Sequence, residues 1–368
     1  MINTLTGLRG YAAIMIVLFH ILWNNREYYD MGIGRFILWD AMKMFCFYGW
    51  VAVDSFFVLS GFILTYKYYQ TFTERLSVRV IFIFILKRFI RIYPLHLISL
   101  LLCIALSFAG LLNDTIGNFD ALIYHFTLTF TWWFYPQEYG GTWNIPSWSL
   151  SAEWMSYFLL IPITLILRKN IIILILGLIV VFTIISEYGV IYPEDPFASI
   201  KRVLVGLLIG YFSFHLYNNK KIITQRMKNH SDKIVFLAIG PLFLCIFYIP
   251  IDTLTIFFMP YVFLVMSLTI IFLPDCKGIM KFMFDNKVIL YLGNISYSVY
   301  IFQYPIYVFL DQYKLSLLSY MTIDGQLSQN LLWIFVICVI FIIIGFASIF
   351  HYLVEKPIMK YFKTRLIL

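Results

Sequence analysis

Two ionisable residues stand toward either end of the first apolar stretch of this sequence, Arg9 in Leu8-Arg9-Gly10 and His20 in Leu18-Phe19-His20. A charged or titratable side chain inside a hydrophobic run is costly to bury and marks a candidate functional site. On a helix rising 1.5 Å per residue, the two lie roughly 16 Å apart along the axis. This spacing sets a permanent cation at one mouth of a membrane helix. It sets an imidazole, which exchanges protons near neutral pH, near the middle. The competing reading is an arginine snorkelling to the helix end and a histidine satisfied within the interior.

Four further segments carry chemistry. Asp54 lies in the second apolar stretch, about 13 Å from its start, which gives it a depth similar to His20. A carboxylate beside a histidine fixes the tautomer and raises basicity, as a general base requires; alternatively, Asp54 pairs with an arginine. In Lys87-Arg88-Phe89-Ile90-Arg91, Arg88 and Arg91 share one helix face and lie close in depth to Arg9. Three guanidinium groups at one mouth suit a phosphorylated ligand, because arginine grips phosphate oxygens bidentately. Anchoring to lipid headgroups explains a basic cluster equally well. Trp148-Ser149-Leu150-Ser151-Ala152-Glu153-Trp154 opens the fourth stretch from the outer side. It carries Glu153 about a turn and a half into the membrane, where an aromatic belt accounts for the tryptophans but not for the carboxylate. Trp148 and Ser151 there, with Tyr297 in the ninth stretch, are the candidates for binding a hydroxyl-rich substrate.

The elements that must position these residues are membrane helices. The chain has 368 residues, of which 62% are hydrophobic, 20% aromatic and only 12% charged, a balance outside that of soluble domains. Apolar runs long enough to span a bilayer fall near 8–24, 44–66, 93–112, 148–167, 171–187, 197–217, 233–250, 253–273, 288–310 and 330–354. A shorter run at 121–135, ending at Pro136, reads as re-entrant or interfacial. The predicted fold is therefore all-α, with about ten transmembrane helices in one membrane domain over 1–368. With ten spans the basic clusters fall on one side, which places both termini in the cytoplasm. The first stretch is followed by no small-residue cleavage site and reads as a retained span. The net charge of +8 is spread over short loops, reporting orientation and giving no reason to expect nucleic acid. Five cysteines lack metal-ligand or paired spacing and read as apolar packing, so no metal is expected.

Taken in order, these pieces resemble the acyltransferase-3 family of membrane acyltransferases. The resemblance rests on Arg9 and His20 in the first span, Gly49-Trp50-Val51-Ala52-Val53-Asp54-Ser55-Phe56-Phe57-Val58-Leu59-Ser60-Gly61-Phe62, and Arg88-x-x-Arg91-x-x-Pro94. It continues through Trp148-Ser149-Leu150-Ser151-x-Glu153-Trp154, Ser296-Tyr297-Ser298-x-Tyr300 and Glu355-Lys356-Pro357. The ordered set covers nearly the whole chain. It implies an integral protein of the bacterial inner membrane, embedded among membrane lipids, that transfers an acyl group, usually acetyl, from cytoplasmic acyl-CoA. The implied acceptor is a hydroxyl of a cell-envelope glycan or lipid-linked sugar. Arg9, Arg88 and Arg91 would hold the CoA phosphates. His20, with Asp54 and Glu153, would form the catalytic centre, either deprotonating the acceptor or carrying the acyl group itself. Two departures stand out. Gln303 occupies a position where relatives commonly have histidine; glutamine donates and accepts hydrogen bonds but takes no proton at physiological pH, so the resemblance leaves Gln303 a role in substrate binding. No hydrolase-like domain is expected, so transfer would finish within the membrane. The alternative function is a carrier in which His20, Asp54 and Glu153 line a proton or substrate pathway. The one-sided arginine cluster and the lack of internal repeats argue against it.

Overall fold

The computed structural model describes residues 2–24, 48–112, 119–132, 142–167, 198–248, 258–313, 322–323, 326–327 and 329–366. The expected span at 171–187 lies outside them. Among the described residues, ten helices run for ten residues or more. They are α1 (Asn3–Asn24), α2 (Val51–Glu74), α3 (Val78–Phe108), α4 (Trp148–Leu167), α5 (Ala198–Asn218), α6 (Ser231–Tyr248), α7 (Phe258–Phe272), α8 (Lys287–Asp311), α9 (Gln329–Phe350) and α10 (Lys356–Arg365). The described β-structure is one antiparallel pair, Thr322–Ile323 with Gln326–Leu327. Seven helical stretches among the described residues are long and apolar enough to cross a bilayer. The protein is an all-α polytopic integral membrane protein. The expected spans at 233–250 and 288–310 are present as α6 and α8, which fall outside those seven. From Ile295 to Tyr307, α8 is buried on every side, so it carries Ser, Tyr and Gln where a lipid-facing helix would carry Leu and Ile.

Two helices run further than the apolar pattern indicates. α2 continues to Glu74 and α3 begins at Val78, leaving little between them to act as a loop. No glycine or proline interrupts the sequence from Ile63 to Tyr93, and the Ser77 hydroxyl caps α3 by accepting the Val80 N–H. Arg88 and Arg91 therefore stand on a helix interior. At 31 residues, α3 is ~46 Å long and outreaches a hydrocarbon core of about 30 Å.

Glycines set the closest helix contacts. α1 and α8 run side by side, and a Cβ on Gly10 would lie 2.7 Å from the Ile289 carbonyl oxygen. Between α2 and α5, a Cβ on Gly210 would lie 2.2 Å from the Val58 carbonyl oxygen. In a membrane, where apolar burial drives little association, such backbone approach supplies the packing. α8 contains Pro305, which removes the hydrogen bond to the Ile301 carbonyl. Asn144 restores it, donating from Nδ2 at 3.0 Å.

The run at 121–135 forms the six-residue helix Leu122–Thr127, ~9 Å long and too short to cross. It ends at Leu128 with φ 58°. Ser151 ties down the following turn, donating to the Leu128 carbonyl at 2.9 Å and accepting from the Thr131 backbone N–H and hydroxyl at 3.2 and 2.9 Å.

Candidate active site

Arg9 and His20 lie on one unbroken helix, α1. Eleven steps of 100° bring them to within about 20° of the same face, roughly 16 Å apart. Each end of that face has its own surroundings.

At the Arg9 end, five helices and a helical turn bring polar groups together. Arg9 is within electrostatic reach of Arg91, Glu153, Glu355 and Tyr157. Glu153 on α4 accepts hydrogen bonds from Ser60 of α2 and Tyr157, each at 2.8 Å. Arg91 on α3 forms a 2.6 Å ion pair with Glu355. Glu355 also accepts from Ser298 and His351, both at 2.9 Å. Arg88 has aromatic rings around it, with Tyr68, Phe84 and Tyr157 centroids at 5.9, 6.0 and 5.9 Å. Its buried Nε has no hydrogen-bond partner. Among the described residues, neither Arg9 nor Arg88 forms an ion pair or hydrogen bond. Among the described residues of the cluster, three arginines stand against two carboxylates, which leaves one positive charge without a counter-charge and two guanidinium groups with free donors. This is the electrostatic signature of a site for an anion.

At the other end, His20 is half-buried and hydrogen-bonded through Nδ1 to Oε1 of Gln303 at 3.3 Å. Both residues line a small cleft with Val17, Ile21, Tyr304, Tyr307 and Ile343.

Three expectations change. Asp54 does not pair with His20. It is fully buried against Arg202 of α5, at 3.0 Å to Nε and 2.8 Å to the terminal nitrogen. The reason is register. Gly49 docks on Met15 and Phe19 of α1, so Asp54, five residues on, lies ~8 Å nearer the Arg9 end than that contact. Trp148 stacks on the Arg202 guanidinium at 4.8 Å and against Phe57, and Ser151 is fully buried in its anchor. Ser151 is thus committed to the fold, while Trp148 stays partly exposed beside Arg202. Glu153, expected near the outer helix end, belongs to the arginine cluster, because the first turns of α4 are already deep. Tyr297 also sits there, donating its hydroxyl to the Ile92 carbonyl, with Arg91 5.9 Å from its ring centroid.

Two residues central to this arrangement carried no site assignment from the sequence. Glu355 ends a single π-helical turn, His351–Glu355, a local under-wound geometry common at functional sites. Its signal was the Glu355-Lys356-Pro357 element. Arg202 had a plainer signal, the cation pair Lys201-Arg202 at the start of an apolar run.

A polytopic helical membrane protein with an arginine cluster and a histidine aligned on one helix is the class that fold and site define. Residues 2–352 match the family described as an acyltransferase domain, and the chain belongs to this acyltransferase-3 family. It is similar to the acyltransferase MdmB of Streptomyces mycarofaciens, 33% identical over 42% of this chain and 37% of that protein. It is also similar to the O-acetyltransferase OatA of Staphylococcus aureus, 25% identical over 97% of this chain. The chain spans 57% of the length of OatA. No solved structure matches it.

Proposed function

We propose that this protein is a membrane O-acyltransferase that moves an acyl group, foremost acetyl, from cytoplasmic acyl-CoA to a hydroxyl of a cell-envelope glycan or lipid-linked sugar. The observation that carries the reading is the alignment of Arg9 and His20 on one face of α1, with Arg88 and Arg91 gathered at the Arg9 end. The names of the relatives, an acyltransferase and an O-acetyltransferase, support the reaction class.

In this reading Arg9, Arg88 and Arg91 hold the CoA phosphates, and the pantetheine arm bridges the ~16 Å to His20. Glu153 and Glu355 keep the cluster assembled when no donor is bound. His20 takes the proton of the acceptor hydroxyl as its oxygen attacks the thioester carbonyl. The C–O bond forms, the C–S bond breaks, and the CoA thiolate leaves with the proton returned from His20. Asp54 takes no part in proton transfer and braces α2 against α5.

Thermal stabilisation of the detergent-purified protein by acetyl-CoA tests the reading. Stabilisation that disappears in Arg9→Ala and Arg88→Ala but persists in His20→Ala supports it. A well-folded protein that no acyl-CoA stabilises overturns it in favour of a carrier.

A further inference from the structure

Gln303 faces His20 with one end of its amide only, and the chemistry of its other end decides which. Its Nε2 lies 3.0 Å from the backbone carbonyl oxygen of Tyr300, an atom that only accepts hydrogen bonds. The amide NH2 must therefore point at Tyr300, and Oε1 must point at His20. Oε1 in turn only accepts, so the 3.3 Å contact to His20 Nδ1 requires the imidazole proton to reside on Nδ1. Gln303 is 2% exposed, so water does not compete for either end. α8 holds the side chain from both sides: Asn144 braces the Ile301 carbonyl, and the Tyr300 hydroxyl is engaged by Ser149 at 2.7 Å and donates to the Pro146 carbonyl at 2.8 Å. Among the described residues the groups acting on the His20 ring are the Gln303 side chain and, one turn back on α1, the Ile16 backbone carbonyl, and no charged side chain does. Both are acceptors, so both favour a proton on the ring nitrogen that faces them, and Gln303 is the side chain that orients it; Tyr304 and Tyr307 are the neighbouring titratable groups in the cleft.

We propose that Gln303 is a positioning residue that locks His20 as the Nδ1–H tautomer, leaving Nε2 as the bare nitrogen that accepts the proton. Free imidazole in histidine prefers its proton on Nε2, so the opposite tautomer needs a fixed acceptor. A neutral amide supplies one without the buried charge that a carboxylate would bring. The consequence for turnover rests on the acyltransferase reading; the tautomer does not.

The test is ¹⁵N NMR of the histidine-labelled protein in micelles, with the His20 signal identified by its loss in His20→Ala. The expected result is an Nδ1–H ring in the wild type that becomes mixed or Nε2–H in Gln303→Leu. Release of CoA thiol from acetyl-CoA should fall about tenfold or more in that variant, with the KM for acetyl-CoA unchanged. Gln303→Met, which is closer in shape to glutamine but offers no amide oxygen, should shift the tautomer as Gln303→Leu does, and a melting transition near that of the wild type guards against misfolding of either variant. An Nε2–H ring in the wild type overturns the proposal, as does a tautomer that is the same in Gln303→Leu. The expected tautomers in a protein that acetyl-CoA neither stabilises nor loses its acyl group to would leave Gln303 as the orienting residue and overturn the acyltransferase reading instead.

Discussion

Single side chains divide the polar interior into groups free to meet a ligand and groups already committed to the fold. Arg88 has a buried donor with no acceptor, and a phosphate oxygen would satisfy it. Arg88→Ala should weaken acetyl-CoA binding about tenfold or more, the loss of charge-assisted hydrogen bonds, as read by the ligand concentration needed to raise the Tm. His20→Ala should bind normally and turn over nothing. Equal loss of binding in both variants would contradict these roles. Asp54 and Arg202 illustrate the committed class. Removing one member of a buried ion pair costs about 3–5 kcal/mol, whereas replacing both with apolar residues of similar volume approaches neutrality. Asp54→Asn should therefore lower the Tm sharply, and Asp54→Leu combined with Arg202→Met should recover most of the loss. Activity in the stable double variant would separate Asp54 from the chemistry.

At the scale of elements, backbone approach and caps carry the predictions. Gly210→Ala puts a methyl group 2.2 Å from the Val58 carbonyl oxygen, so α2 and α5 must separate. Over-packing of this kind costs about 1–3 kcal/mol and should appear as a lower Tm, while an alanine at Gly240, which meets nothing within 4 Å, should not. Asp232 at the start of α6 receives the backbone N–H groups of Lys277, Gly278 and Met280. Burial alone would raise its carboxyl, but these three donors outweigh it and hold the group below the usual carboxylate range. A carboxyl depressed in the folded state contributes stability above its unfolded pKa, and loses it as the pH falls through its folded value. Melting curves below about pH 4 should fall less steeply for Asp232→Asn than for wild type. A parallel fall would remove Asp232 from the acid response.

The whole molecule joins two chemical ends through a membrane interior. The charge distribution along the chain predicts both termini on the cytoplasmic side, together with the Arg9 end of α1. A single cysteine introduced at Lys363, in a background lacking the native cysteines, should resist an impermeant thiol reagent in intact cells and react once the membrane is opened. Labelling in intact cells would reverse the orientation and send acyl-CoA to the wrong face of the arginine cluster.

Periodicity and hydrophobic run length determined by themselves that this is a helical membrane protein: only helices and closed barrels satisfy their backbone groups without water, and runs of about twenty apolar residues fit a helix and not an alternating barrel strand. The identities of Arg9, His20, Arg88, Arg91 and Glu153 were legible too, because each breaks an apolar pattern. Helix ends were less so: the chain from Ile63 to Tyr93 contains no breaker, so hydropathy ended α2 early and began α3 late. Partnerships were decided by the tertiary structure alone. Asp54 turned to Arg202 and His20 to Gln303 because glycine contacts set the register between α1, α2, α5 and α8. Sequence reports how deep a residue lies on its own helix, but only packing determines which neighbour stands at that depth and which face it presents.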